Sequence, residues 1–297
     1  MSKGALIFAH NNEEIDYVKI ASLNALMIQR NLDVGVTLVT DDGTLSWAKQ
    51  SLGEEYLNQC FEHIVIDSDT DYVYRQNNIR AFRDTVYTVK HLPFYNCDHW
   101  KAYDLTPYDE TLFVDADYLI MSDTLSRCWG SDHEIMINKD IKELYFGRRQ
   151  ENTTVGKSGI DTYWATCIYF RKSELAEHLF YMVKYIYENY GYYKELYTTP
   201  NSMFRNDYAF SIAVHMMNGF SNSDLIKQLP IPAIYKSFDN DDIISVNGLN
   251  DITLLLEKPK CSGDYILSRF TDLDIHIMNK WAVLRNYDTL KELYIEQ

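Results

Sequence analysis

The chain has 297 residues and a formal net charge of −15, from 28 basic and 43 acidic side chains. A hydrophobic fraction of 46% and an aromatic fraction of 14% mark a folded globular protein and exclude a disordered one. The charge disfavours broad electrostatic attachment to nucleic acid or anionic lipid. It leaves room for a local basic groove, for which Arg75, Arg80, Arg83, Lys90 and the pair Arg148 and Arg149 are candidates; as surface residues they equally make a solvated face. The five cysteines, Cys60, Cys97, Cys128, Cys167 and Cys261, are widely spaced without a Cys-x-x-Cys pair. They indicate neither a zinc site nor a disulfide framework and read as small core residues of a cytoplasmic protein. The opening apolar run, residues 4–9, is too short for a signal peptide, and no apolar stretch reaches the ~20 residues that span a bilayer, so no membrane partner is expected.

Residues 4–9 predict a buried first strand. Asn11 or Asn12 is placed to cap the following helix, with Glu13 and Glu14 in its first turn. Over residues 15–32 the apolar positions Ile15, Val18, Ala21, Ala25 and Ile28 form one helical stripe. Residues 34–39 predict a second strand that ends in Thr40-Asp41-Asp42-Gly43, residues 44–59 a helix, and residues 63–66 a third strand ending in Asp67. This βαβαβ order predicts a largely parallel sheet. Residues 69–83 are polar and read as a loop or helix start. Residues 86–105 read as partly helical and residues 106–109 as a turn. Further on, the pattern predicts strands at 134–138 and 163–170, helices at 174–190 and 204–217, and short strands at 234–235 and 252–256. A late apolar segment follows at 275–277, and then a C-terminal helix over 282–297.

The most informative stretch is Leu112-Phe113-Val114-Asp115-Ala116-Asp117. A buried strand there would place Asp115 and Asp117 at its carboxyl end, where open α/β sheets bind ligands. Two neighbouring acids repel unless a divalent cation lies between them. Mg²⁺ and Mn²⁺ accept carboxylate and phosphate oxygens together, so the pair suggests a metal–diphosphate site. The bland alternative is a strand closing in a polar turn. Mn²⁺ also accepts an imidazole, which His276 would supply from the late strand. Lys280, close behind it, would pair with a diphosphate as a point charge. The alternative for these two is a core histidine and a surface lysine.

These segments carry a resemblance, together with the opening strand and helix, Thr40-Asp41-Asp42, the stretch from Thr162 to Phe170, Asn206-Asp207-Tyr208-Ala209-Phe210, and the run from His276 to Trp281. The chain resembles GT-A type glycosyltransferases and is most similar to the clan of glycogenin and the bacterial lipopolysaccharide galactosyltransferases. Residues 105–111 also resemble bacteriophage-encoded members, which would place the protein in a host cytoplasm. The resemblance implies one GT-A (Rossmann-like) domain over 1–297, with a mostly parallel central sheet flanked by helices and a helical C-terminal part. Residues 1–140 would be its nucleotide-binding half and 141–297 its acceptor-side half. It implies that Asp115, Asp117 and His276 hold Mn²⁺ or Mg²⁺, with Asp115 also near the donor ribose, and that Lys280 contacts the donor diphosphate. Ala9, His10 and Asn11 would approach the nucleotide, Asp41 its base, and Arg80 or Asp84 the donor sugar. Asp207 would contact the transferred sugar or the acceptor. The chain departs from the family in its late motif, where His276 and Lys280 are closely spaced and no Pro precedes Trp281. It departs again at Ala165-Thr166, where the family has Asn or Ser and Gly.

The implied activity is metal-dependent transfer of a sugar from a nucleoside-diphosphate sugar, a UDP-sugar first of all, to an acceptor hydroxyl. The metal and Lys280 would stabilise the leaving diphosphate. A retaining course is expected from the family; an inverting one would need a carboxylate base, for which Asp207 is the first candidate. Rival readings are a sugar-nucleotide pyrophosphorylase, a non-catalytic nucleotide-sugar binding protein, and a metal-dependent nuclease or phosphatase. The first would need a Gly-rich basic loop where Ala9-His10-Asn11-Asn12 stands. The acceptor is either a glycan or a hydroxylated base in phage DNA; the second would use the arginines named above with Tyr72, Tyr74 and Tyr145.

Overall fold

The computed structural model describes residues 1–70, 72–79, 88–145, 154–156, 159–198, 202–221, 225–258 and 263–295. The expected βαβαβ opening is present: β1 (Lys3–Phe8), α1 (Tyr17–Leu32), β2 (Gly35–Thr40), α2 (Asp42–Leu52), α3 (Glu54–Cys60) and β3 (His63–Ile66). Within residues 69–83, expected as a loop or helix start, the described part holds β4 (Val73–Ile79), which pairs with β5 (Thr88–Phe94); residues 71 and 80–83 lie outside the described residues. The two strands pair antiparallel from Val73 with Phe94 to Ile79 with Thr88. The segment is polar, and the partner that makes it a strand is invisible to local periodicity. A 3₁₀ turn at His99–Lys101 and α4 (Ala102–Leu105) follow.

The second half supplies β6 (Glu110–Val114), β7 (Tyr118–Leu119), β8 (Ile135–Ile137), β9 (Ile141–Glu143), β10 (Thr154–Val155), β11 (Ile160–Asp161) and β12 (Cys167–Arg171). Helices α5 (Glu174–Glu188), α6 (Tyr190–Tyr197) and α7 (Asn206–Met217) come next. Strands β13 (Ile234–Lys236), β14 (Asp242–Gly248), β15 (Asp251–Glu257), β16 (Tyr265–Thr271) and β17 (Ile275–His276) precede α8 (Lys280–Arg285) and α9 (Tyr287–Ile295). The C-terminal part therefore ends in two helices where one was expected. Before them it carries an antiparallel meander, β14-β15-β16, of which the sequence predicts only the middle strand.

The central sheet runs β3-β2-β1-β6-β12-β8. Its first four strands are parallel, and β12 is antiparallel to both neighbours. Alternate residues of each strand go to opposite cores, because side chains on a strand point to opposite faces. Ala5, Ile7, Leu112, Val114 and Tyr169 join α1 and α9 on one face. Leu6, Phe8, Phe113, Ile168 and Phe170 join α5 and α7 on the other. A sheet covered on both faces leaves only its strand ends free for a site. Against the carboxyl end of β6 lies a second sheet, β7-β17-β13-β9, begun by the strand that directly follows the two acids.

Candidate active site

Asp115 and Asp117 sit on the turn between β6 and β7. The Asp115 N–H donates to the Thr166 carbonyl at 2.9 Å, and the Tyr118 N–H closes the turn onto the Asp115 carbonyl at 3.0 Å. Strand β17 pairs antiparallel with β7, opposing His276 to Tyr118, and the Ile277 N–H donates to the Asp117 carbonyl at 2.9 Å. That pairing delivers the imidazole: His276 Nε2 lies 3.2 Å from Asp117 Oδ1. Lys280 opens α8, whose N-cap Asn279 accepts from the Ala282 N–H, and its Nζ lies 2.5 Å from Asp117 Oδ2. Burial pushes the Asp117 carboxyl up, but the charges of Lys280 and His276 outweigh it and hold the carboxyl well below the usual range. Burial lowers Lys280 in turn, and the Asp117 carboxylate more than compensates, so its ammonium is held above its ordinary value. The pair is therefore ionic.

The donor set fits a hard divalent cation. One ligand atom each from Asp115, Asp117 and His276 lies within 4.8 Å of the others. The two carboxylate oxygens suit Mn²⁺ or Mg²⁺ and the imidazole nitrogen suits Mn²⁺ in particular; either ion leaves further positions for phosphate and water. A cleft of about 390 Å³ opens beside these residues and is also lined by Trp164, Ala165, Thr166, Arg205, Asn206, Asp207 and Lys236. Asp207 is fixed from two sides: the Ala165 N–H donates to Oδ1 at 2.9 Å, and Arg205 Nε and Nη2 donate to Oδ2 at 3.2 and 2.7 Å. Burial raises this carboxyl, but Arg205 outweighs burial and holds it below its ordinary value.

Five of the residues singled out in the sequence, Asp115, Asp117, Asp207, His276 and Lys280, thus face one cleft. Ala9, His10, Asn11 and Asp41 lie beyond β1 and β2 and are not among its lining residues. Ala9 is buried, with its N–H on the Val39 carbonyl. His10 is buried beside Tyr95, with ring centroids 6.2 Å apart, and burial lowers its pKa. The Asn11 carboxamide is taken up locally, accepting from the Val18 N–H and donating to Asp16. Asn11 thereby shares the capping of α1 with Asp16, which accepts from the Lys19 N–H; Asn12 instead closes the turn before it, accepting from Glu14 and Ile15. Asp41 caps α2 by accepting from the Thr44 N–H at 2.8 Å and the Thr44 hydroxyl at 2.6 Å. Arg80 and Asp84 lie outside the described residues, as do Arg83, Arg148, Arg149 and Cys261, and at Arg75 only the backbone, on β4, is described.

No protein-family model matches the chain, and comparison with curated proteins returns no match. Solved structures similar to it include the glycosyltransferase GlyE of Streptococcus pneumoniae TIGR4, at 13% identity over 77% of this chain and 45% of that one, with a TM-score of 0.40. The galactosyltransferase LgtC, solved in complex with donor and acceptor sugar analogs, is similar at 13% identity over 71% of this chain and 70% of that one, TM-score 0.40. The PaToxG glycosyltransferase is similar at 11% identity, over 76% and 73%, TM-score 0.40. The chain spans less than half the length of GlyE. These likenesses concern the fold; the chemistry rests on the cleft itself.

Among the cleft residues that sequence reasoning missed are His99, Lys236 and Arg205. His99, buried against Phe8 and Phe113, places Nε2 3.7 Å from Asp115 Oδ1. It comes from the irregular segment after β5, and no local pattern marks it. Lys236 enters from β13, which the sequence shows only as a short apolar strand. Arg205 was findable, standing two residues before Asp207 at a helix start. Among the described residues no helix is long and apolar enough to cross a membrane.

Proposed function

We propose that this chain is a metal-dependent glycosyltransferase that moves a sugar from a nucleoside-diphosphate sugar, a UDP-sugar first of all, to an acceptor hydroxyl. The observation that carries this reading is the convergence of Asp115, Asp117 and His276 within 4.8 Å, with Lys280 Nζ 2.5 Å from Asp117, in the lining of one cleft. Held by the three ligands, Mn²⁺ or Mg²⁺ would act as a Lewis acid on the diphosphate and offset the charge that grows as it leaves. Lys280 binds the same diphosphate as a point charge, so departure needs no general acid. The Asp207 carboxylate, oriented by the Ala165 N–H and Arg205, accepts a hydroxyl of the transferred sugar. A carboxyl held below its ordinary value by an arginine that donates twice to one of its oxygens is a weak base. That favours a retaining course, in which the leaving phosphate takes the acceptor proton.

In this reading residues 1–140 form the nucleotide half and 141–297 the acceptor half, with His10 and Asp41 on the nucleotide side. The acceptor is a glycan hydroxyl. A net charge of −15 weighs against a DNA polyanion.

The test is hydrolysis of a panel of nucleotide sugars, with and without Mn²⁺, by the wild type and Asp117→Ala. The expected result is slow, metal-dependent release of one nucleoside diphosphate that the variant loses. Absence of both release and calorimetric donor binding would remove the transferase reading. Pyrophosphate release from a nucleoside triphosphate and a sugar phosphate would replace it with the pyrophosphorylase.

A further inference from the structure

Asn24 lies in the middle of α1 among apolar side chains and is fully buried. A carboxamide in such a place is costly unless its groups are paired, and an aliphatic residue would suit the helix face better. All its described hydrogen bonds go to one target. Nδ2 donates to the Tyr118 carbonyl at 2.8 Å and, at a longer 3.4 Å, to the Asp115 carbonyl. Oδ1 accepts from the Ile120 N–H at 3.0 Å. One side chain therefore ties the Asp115 carbonyl to the strand that follows Asp117, while β17 holds the same turn through Asp117. The carboxylates repel each other, and a turn held only by its own Tyr118-to-Asp115 bond would relax by opening. We infer that Asn24 is a positioning residue that keeps Asp115 and Asp117 in the spacing a divalent cation needs. It touches neither metal nor substrate and acts through the backbone of the turn.

This inference rests on the metal-site reading above, and the experiment separates the two. Mn²⁺ affinity is measured by calorimetry without donor, for wild type, Asn24→Leu, Asn24→Ala and Ser22→Ala, with urea midpoints alongside. Ser22 is the control: it is buried on the same helix, but its hydroxyl bonds the Lys19 carbonyl and the Tyr287 hydroxyl, away from the acids. The expected result is a tenfold or greater loss of Mn²⁺ affinity in the Asn24 variants and less than a twofold change in Ser22→Ala at a comparable loss of stability. Equal affinity in wild type and Asn24 variants, or an equal loss in Ser22→Ala, overturns the positioning role while leaving the metal site standing. A wild type that binds neither Mn²⁺ nor Mg²⁺ overturns both. Hydrogen exchange in the wild type covers variants that fail to fold. Clamp and metal favour the same turn, so Mg²⁺ should slow exchange at the Ile120 amide. An unchanged rate there overturns the role without any variant.

Discussion

Lys280 and Asp117 are each other's nearest charged partners in the cleft, and a cation at this site would have to share Asp117 with that lysine. Taking one member from a buried pair leaves the other uncompensated, but here the acid has a second use. Lys280→Met is therefore expected to split two readouts. Donor-free Mn²⁺ affinity, measured by calorimetry, rises severalfold because a competitor for Asp117 Oδ2 is gone. Turnover of the donor falls on the order of 10²–10³, the usual loss on removing one group that stabilises developing charge. A fall in both would mean that Lys280 mainly holds Asp117 in place. Legibility at this scale follows sequence distance. Asp115 and Asp117 can be read together because one strand end carries both, and Arg205 could have been read beside Asp207. Asn24 reaches a turn more than ninety residues away, and nothing around it marks it as other than a polar break in an apolar stripe.

Elements differ in how much of their fate is local. α1 follows its stripe, with Val18, Ala21, Ala25 and Ile28 fully buried, because one helix face meets one sheet face. β4 is mainly polar, β5 mixes polar and apolar residues without strict alternation, and β17 has two residues, so their existence depends on partners chosen elsewhere. The meander β14-β15-β16 also depends on cross-strand contacts. On it Asp251 receives Arg269 Nε at 2.8 and 3.0 Å on its two oxygens. That hydrogen-bonded arginine brings the Asp251 carboxyl down to about 2. A carboxyl whose folded value lies below its ordinary value of about 4 contributes stability that is complete above that ordinary value and vanishes as the pH falls through the folded one. The stability difference between wild type and Asp251→Asn, from urea midpoints, should therefore be constant between about pH 5 and 7 and shrink toward zero near pH 2. A difference that persists there would mean that hydrogen-bond geometry rather than ionisation holds the pair.

Across the whole molecule the C-terminal helix closes onto the first one. The Tyr287 hydroxyl lies 2.9 Å from that of Tyr56 and 3.0 Å from that of Ser22, inside the core shared by α1 and α9. Tyr287→Phe removes that hydroxyl without changing shape and is expected to cost about 1 kcal/mol of stability. It should leave Mn²⁺ affinity within twofold, since none of these hydroxyls lines the cleft. A larger change in affinity would show that the α1–α9 contact is transmitted to the acid turn. By itself the sequence determined what short-range order can encode: the buried β1, β2 and β6, the α1 stripe, the position of the acid pair at a strand end, and two ionisable groups, His276 within a late apolar segment and Lys280 just behind it. Only the tertiary structure decided that β17 pairs with β7, that Asn24 and β17 hold the acid turn from two sides, and that Arg205 and the Ala165 N–H fix Asp207 across the same cleft. The reason is physical. Periodicity reports which face of an element is apolar, whereas the pairing of short segments is set by which partners the closed cores bring within hydrogen-bond reach.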